Sequence, residues 1–543
     1  MLSHRVSLKC SASGFHSRSP MQRSDKARVL ERVGCSQACI WCFSSASISL
    51  HVVAASTFMS RGDRATSGNL VPGSFVAPFT MTKTPNAPGT QKVRRATLGS
   101  KRAPGWNWQA SGRRVRRADV RELKRGADDP SLSGVGGLVD FNAFAQREGL
   151  GRQLARDFGH LKTGKQVVYP MHTQIQLLID AAVVGARRVF DFEWLANDPL
   201  FEHLAGGAVP SVDALYDDLR RFGPDEREQL EAVVADHGLR LLRERRPERV
   251  TVDIDTTVMP LFGHQEGALP GSNPRYHGRP SYHPILARIA ETDTVLGARL
   301  RPGDTSLGEA DVEDVEQWLD RTREAAGRDA VITVRIDAGG DCAALLAAVH
   351  GRKDLFVVKA KQTPNLLGAV MQMTSWHTVD CDADGAPSRQ AAELDFQRED
   401  WPPGCYRVIA IRTNERNSGR QVCLWEGLDL SVQFYVTNDF DRDIDDLARV
   451  YDDRAGIEPL IAELKNGFGI GKVSSSSFGA NEAAFLSKLL ACNLMRRWVA
   501  AELPAIASWR SSWIRRAAIL IPARLLRSGG RWLLRRAHRP MLN

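Results

Sequence analysis

Apolar positions recur at helical steps from residue 134 to about residue 245. The stretch "MHTQIQLLIDAAVVGARRVFDFEWLANDPLFEHLAG" carries that period, and Ser211 opens "SVDALYDDLRRF" as an N-cap. The period changes at "RVTVDIDTTVMPLFG", residues 249–263, where Val250, Val252, Ile254 and then Val258 alternate with polar positions as in a strand. A Gly/Pro-rich stretch follows to residue 284. "ILARIAETDTVLGARLRPGD" then reads as two strands joined by a turn at Glu291–Asp293. "DVEDVEQWLDRTREAAG" is a helix, "DAVITVRIDAGGD" a strand with Asp337 just past its apolar run, "CAALLAAVHG" a helix and "LFVVKAK" a strand. Three meandering strands, helix, strand, helix, strand predict a mixed α/β domain.

Residues 362–434 break the alternation with strand-like pieces such as "CYRVIAIRTN", which predicts a β-rich insertion. Residues 435–500 return to helix, ending in the apolar-striped "NEAAFLSKLLACNLMRRWVAAEL". The tail, 501–543, reads as a basic amphipathic helix. The expected organisation is a leader over 1–133, a helical region over 134–245, an α/β domain over 246–361 and 435–500, an insertion over 362–434 and the tail.

Charge sharpens this division. Residues 1–135 hold 22 Lys and Arg against 7 Asp and Glu, or +15, so a chain of net charge +10 leaves −5 for the rest. From residue 505 onward there are nine Arg and no acidic residue. Basic ends on an acidic middle suit a polyanion such as nucleic acid. A solvated, disordered leader is the favoured reading of the first segment, and Met81 is a candidate start that would make residues 1–80 an upstream read-through. Nine scattered cysteines do not form a disulfide framework. Cys35, Cys39 and Cys42 have the spacing of a radical iron–sulfur motif, but no adjoining strand–helix alternation supports a cluster there. Residues 44–58 are too short and too polar to predict a membrane span.

Three carboxylates could converge: Asp255 in "DIDTT" on the first strand, Asp337 at the end of a later strand, and Glu458 in "VYDDRAGIEPLIAELKNGFG". Strand ends open onto the crevice where such folds gather their sites. Carboxylates held close repel unless a cation neutralises them. Mg²⁺ takes oxygen ligands, and two such ions about 3.5–4 Å apart activate an attacking oxygen and stabilise a leaving one on a phosphodiester. On a straight helix Tyr451, Arg454, Glu458 and Lys465 fall within roughly 60° of one face, beside an apolar stripe of Ile457, Leu460, Ile461 and Leu464. Arg and Lys flanking a carboxylate suit a phosphate backbone.

That spacing, Tyr-x2-Arg-x3-Glu-x6-Lys, resembles the signature helix of the DDE transposases of bacterial insertion sequences. More narrowly the chain is similar to the insertion-sequence 1380 group, on "DIDTTVMPLFGHQEGALPGSNPRYHGRPSYHPILA", "VRIDAGG", "RAGIEPLIAELKNGFG" and "SSSSFGANEAAFLSKLLACNL", across about residues 134–535. The resemblance implies a ribonuclease-H-like catalytic domain split by the β-rich insertion. It makes Asp255, Asp337 and Glu458 a metal-binding triad for two Mg²⁺, with Mn²⁺ able to substitute. It makes Tyr451, Arg454 and Lys465 contacts to DNA phosphates. It also implies terminal inverted repeats, bound by residues 134–245, and target DNA as partners, a dimer or larger synaptic complex, end cleavage and strand transfer, and a cytoplasmic, nucleoid-associated protein.

Two departures stand out. Gly456 and Pro459 weaken the helix around Glu458, which predicts either a kink there or a restart with Pro459 as first residue. "DIDTT" also offers Asp253, on the same strand face as Asp255; Thr257, two residues after Asp255, matches the family pattern and favours Asp255. Arg275, His277 and Arg279 on the Gly/Pro loop are further candidates for DNA contact. Trp401 and Trp425 in the insertion read as core ahead of base stacking, and His283 reads as structural.

Overall fold

The structure, a computed structural model, describes residues 126, 128–273, 275–414, 430–473 and 475–538. Met81, the Cys35–Cys42 motif and Trp425 lie outside the described residues.

Five helices occupy most of residues 134–245: α1 (Leu138–Arg147), α2 (Leu150–Phe158), α3 (Met171–Val184), α4 (Val212–Leu219) and α5 (Pro224–Arg245). Ser211 caps α4 by accepting the Ala214 amide at 3.2 Å. α5 opens on Pro224, whose missing amide hydrogen is not needed in a first turn.

A nine-stranded mixed sheet follows, built from β1 (Arg249–Thr256), β2 (Ile285–Ile289), β3 (Thr294–Arg299), β4 (Val331–Ile336), β5 (Leu355–Lys359), β6 (His377–Cys381), β7 (Pro387–Leu394), β8 (Arg407–Asn414) and β9 (Leu430–Thr437). Its order is β6-β7-β8-β9-β5-β4-β1-β2-β3. β4 pairs in parallel with β1 and with β5; every other pairing in the sheet is antiparallel. α6 (Val312–Ala326) joins β3 to β4 and α7 (Ala343–Gly351) joins β4 to β5. The turn at Glu291–Asp293 closes β2 onto β3 with Asp293 at φ 54°. After α8 (Pro364–Met371), the strands of the predicted insertion add to the edge of this sheet. β9 spans residue 434, pairs with β5 and leads into α9 (Ile444–Asp452).

The two faces of the sheet carry different residues. Val250, Val252 and Ile254 of β1, Val334 and Ile336 of β4, and Phe356 and Val358 of β5 pack with Trp318 of α6 and Leu345 of α7. The alternate positions face the other way, where Val357, Tyr435 and Ile409 pack with Leu447, Ala448 and Tyr451 of α9. Strand alternation therefore sends Asp253, Asp255, Arg335, Asp337 and Lys359 toward the α9 side.

The helices of residues 134–245 do not build a core of their own. They share one apolar cluster with α10 (Ile457–Glu463) and the 25-residue α11 (Phe478–Glu502). Asn493, fully buried on α11, fastens that junction. Its Nδ2 donates to the carbonyls of Val234 (2.9 Å) and Val295 (2.8 Å), and its Oδ1 accepts the Val295 amide at 2.9 Å. α5 crosses β3 closely enough that a Cβ on Gly238 would lie 2.2 Å from the Val295 carbonyl oxygen, so the helix needs glycine there.

The tail corrects the predicted amphipathic helix. A short helix at Ser511–Ile514 runs into a π-turn at Arg515–Ile519. Strands Ala523–Ser528 and Arg531–Arg536 then form a hairpin that adds to Leu132–Ser133. Gly529 and Gly530 both take positive φ, 58° and 78°, the geometry of a two-residue hairpin turn. Leu525 and Leu526 face Leu534 and Leu533 across the hairpin. Paired leucines fit a helix face as well as a strand pair, so the Gly-Gly turn decides. Among the described residues, no helix is long and apolar enough to cross a membrane.

Candidate active site

The site grows from strand register. Ile254 pairs with Ile336 and Ile336 with Val358. One residue further on, Asp255, Asp337 and Lys359 stand side by side at the carboxyl ends of three parallel strands, and Lys359 pairs with Tyr435 of β9. Asp337 also caps the turn after β4, accepting the Gly339 amide at 2.9 Å. Asp255 accepts the amide of Thr256 at 2.8 Å.

Beneath this row lies a closed ion cluster. Asp253 is fully buried. Its carboxylate accepts from Arg335 at 2.6 and 3.0 Å and from Arg288 at 2.8 Å. Arg335 also donates to the Val450 carbonyl at 2.6 Å, tying α9 to the sheet. A Cβ on Gly456 would lie 2.8 Å from an Arg288 guanidinium nitrogen that Asp253 holds in place, so the glycine beside Glu458 makes room for this pair. Two guanidiniums saturate Asp253, which leaves Asp255 as the accessible acid of "DIDTT".

The segment carrying Tyr451, Arg454, Glu458 and Lys465 is not one uniform helix. α9 gives way to a 3₁₀ turn at Asp453–Gly456, then α10, then a π-turn at Leu464–Phe468. The restart falls at Ile457, and Pro459 sits in the first turn, where its missing amide hydrogen costs nothing. Four residues wound at three per turn advance by about 80° more than in an α-helix. The single face inferred from a straight helix is therefore broken between Tyr451 and Glu458.

Tyr451 is buried and stacks on Tyr435 with ring centroids 4.3 Å apart. Burial raises its phenol's pKa well above the usual value. Arg454 is also buried. Its Nη2 lies 3.0 Å from Oδ2 of Asp255 and 3.9 Å from Oδ2 of Asp337, between the two carboxylates. Its Nε is buried without a hydrogen-bond partner. The Lys465 ammonium donates to the Val258 carbonyl at 3.0 Å, and burial lowers its pKa while Asp255 opposes the shift. Glu458 is exposed. Burial pushes the Asp255 carboxyl up to about 6 against the pull of Arg454, with Asp337 and Glu458 adding to the rise.

The site thus holds more negative charge than Arg454 neutralises, and its donors are carboxylate oxygens. That chemistry fits a hard divalent ion. Among the described residues, no three acidic, His or Cys side chains lie close enough together to hold one: Asp255 and Asp337 converge, and Glu458 stands apart.

The family described as transposase DDE domain group 1 matches residues 115–540. The chain belongs to that family. It is a transposase, an enzyme that cuts and transfers DNA. None of the curated proteins matches the chain. Among solved structures, a cryo-EM structure of the piggyBac transposase synaptic complex with hairpin DNA matches at 11% identity, with a TM-score of 0.40, over 72% of this chain and 80% of that one.

Of the transposase's remaining candidates, Arg275, His277 and Arg279 lie on the loop between β1 and β2; Arg275 and His277 are exposed and Arg279 is partly so. Trp401 is core, against Phe396 and Tyr406 and beneath Arg398. His283 is held through Nδ1 by the Thr305 carbonyl at 2.7 Å. Lys359 was not singled out from the sequence. Its ammonium makes no hydrogen bond or ion pair among the described residues, and burial lowers its pKa while Asp337 opposes the shift. The available signal was a cation closing the apolar run of "LFVVKAK", one strand after Asp337.

Proposed function

We propose that this transposase cleaves the ends of an insertion sequence and joins them to target DNA at the row formed by Asp255, Asp337 and Lys359. The observation that carries the reading is the convergence of Asp255 and Asp337 on one cation, Arg454, at the ends of adjacent parallel strands. Three antiparallel strands continued by two parallel ones through helices support a ribonuclease-H-like core. The spacing of Tyr451, Arg454, Glu458 and Lys465 supports a place in the insertion-sequence 1380 group.

Asp255 and Asp337 are the residues that would hold Mg²⁺ or Mn²⁺, and Glu458 would complete the set only by moving toward the row. The chemistry such an ion would supply there is a lowered pKa for an attacking water or 3′-hydroxyl and charge compensation at the leaving oxygen. The protein's own groups do the positioning. Lys359 and Lys465 flank the carboxylates and offer point charges to the scissile phosphate. Arg454 can exchange its carboxylate partners for phosphate oxygens. Tyr451, wedged on Tyr435, fixes the height of α9 above the sheet. The basic hairpin and the helices of 134–245 are proposed to bind duplex DNA outside the cut, in a dimeric or larger assembly.

Incubation with Mg²⁺ and the duplex ends that flank the gene tests this reading. We expect nicked ends from the wild type and joined products when pre-cut ends are supplied. Asp337→Asn should bind the ends and leave them uncut. Cleavage retained in that variant would remove Asp337 from the site; cleavage without joining would make the enzyme a nuclease.

A further inference from the structure

The loop that follows β1 carries a feature the cleavage row does not use. Phe262 is 78% exposed, seven residues after Asp255. The Arg279 guanidinium lies over its ring at 4.5 Å and over Tyr276 at 5.5 Å, and Arg275 lies over Tyr276 at 5.5 Å. Neither guanidinium makes an ion pair or a side-chain hydrogen bond among the described residues. Beside Phe262 opens a cavity of about 480 Å³, which also takes in His264 and His277. No carboxylate lines it.

The frame beneath this loop is firm. Met259 pairs with Tyr282, and the Leu261 amide donates to the Pro280 carbonyl at 3.0 Å. The Tyr282 hydroxyl donates to the Glu266 carbonyl at 2.6 Å. At the inner end, the Val258 carbonyl takes the Lys465 ammonium. A large aromatic held in water on such a frame, with two cations free of acid partners, is complementary to a π-face beside a phosphate. Aromatic and guanidinium surfaces stack on bases of any sequence, and the cavity has the size of a small-molecule site.

We propose that Phe262, Tyr276 and Arg279 form a stacking platform for one unpaired nucleobase of the DNA strand, with Arg275 and Arg279 pairing the adjoining phosphates. The proposal rests on the reading that the row at Asp255 and Asp337 acts on DNA. It assigns to the catalytic strand's own loop the stacking that Trp401, buried in the core, does not provide.

The test compares the full chain's affinity for two fluorescent probes by anisotropy: a blunt duplex, and the same duplex with one unpaired 2-aminopurine at its end. The wild type should prefer the second probe roughly tenfold, the scale of one stacked base, and quench its 2-aminopurine emission. Phe262→Ala should lose both the preference and the quenching; Phe262→Trp should keep them. Phe262 is exposed, so neither change threatens the fold. An undiminished preference in Phe262→Ala, or a wild type that binds both probes equally, overturns the platform and leaves the cleavage reading standing. A wild type that binds neither probe overturns both.

Discussion

Replacing Arg454 by Met tests how the free enzyme tolerates its carboxylates. Arg454 lies 3.0 Å from Asp255 and 3.9 Å from Asp337, and its own side chain is 9% exposed. At an effective dielectric of about 20, a unit charge pair at 3.0 Å is worth roughly 5 kcal/mol before desolvation. Removing one partner of a buried pair costs about 3–5 kcal/mol, because the other charge is left uncompensated. Asp337 is 41% exposed and is screened by water, so the lower end applies. We expect Arg454→Met to lose about 3 kcal/mol in urea unfolding without divalent ions. Mn²⁺ at about 100 times its dissociation constant should restore about 2.7 kcal/mol of that. The wild type should respond less, since Arg454 already stands between the two acids. A variant as stable as the wild type, or one no more responsive to Mn²⁺, would refute the view that Arg454 substitutes for a metal charge in the free enzyme.

Two further outcomes follow from the core. Asn493→Leu strands the Val295 amide and carbonyl, while the Val234 carbonyl keeps its helical partner; at about 1–3 kcal/mol for each unsatisfied group, it should lower the unfolding free energy by at least about 2 kcal/mol or prevent soluble expression. His237 is fully buried; its Nδ1 accepts from Arg497 at 2.8 Å, and burial lowers its pKa to about 3, with Arg240 and Arg497 adding to the shift. A depressed histidine means the unfolded chain binds the extra proton. Its contribution is therefore intact above about pH 6.5 and is lost as pH falls toward 3. Between pH 7.5 and 5 the wild type should lose about 2 kcal/mol more than His237→Gln; equal slopes in pH-dependent calorimetry would contradict this.

Much of the site was legible because it depends on strand phase. Alternation in "RVTVDIDTT" and the apolar run before Asp337 place both acids at strand ends, and the parallel register of β1 with β4 brings them together. The choice between Asp253 and Asp255 was not a matter of phase, since both share a face. It turns on Arg288 and Arg335, which arrive from two other strands. Nor could periodicity show the change of winding at Asp453–Gly456, because the spacing of Tyr451, Arg454, Glu458 and Lys465 assumes a constant rise. Lys359 escaped notice because a lone cation at a strand end looks like a solvated one until β5 is placed beside β4.

The winding of this segment has a mechanical corollary. The 3₁₀ turn before α10 is overtwisted and the π-turn after it is undertwisted, so the two errors oppose each other. α9 is pinned to the sheet through Val450, and the far end of the π-turn through Gly469, whose carbonyl accepts the Lys488 ammonium of α11 at 2.8 Å. Between these anchors, slack and excess twist sit on either side of the seven residues that carry Glu458. α10 is fastened between them as well: Ile457, Leu460 and Ile461 lie in the apolar cluster shared with α11, and Glu463 accepts from Arg496 of α11 and from the Ser511 amide, each at 2.6 Å. Glu458 is thus mounted on a short rod whose opposed windings are clamped at the α11 end, so its direction is set by the core rather than by the loop.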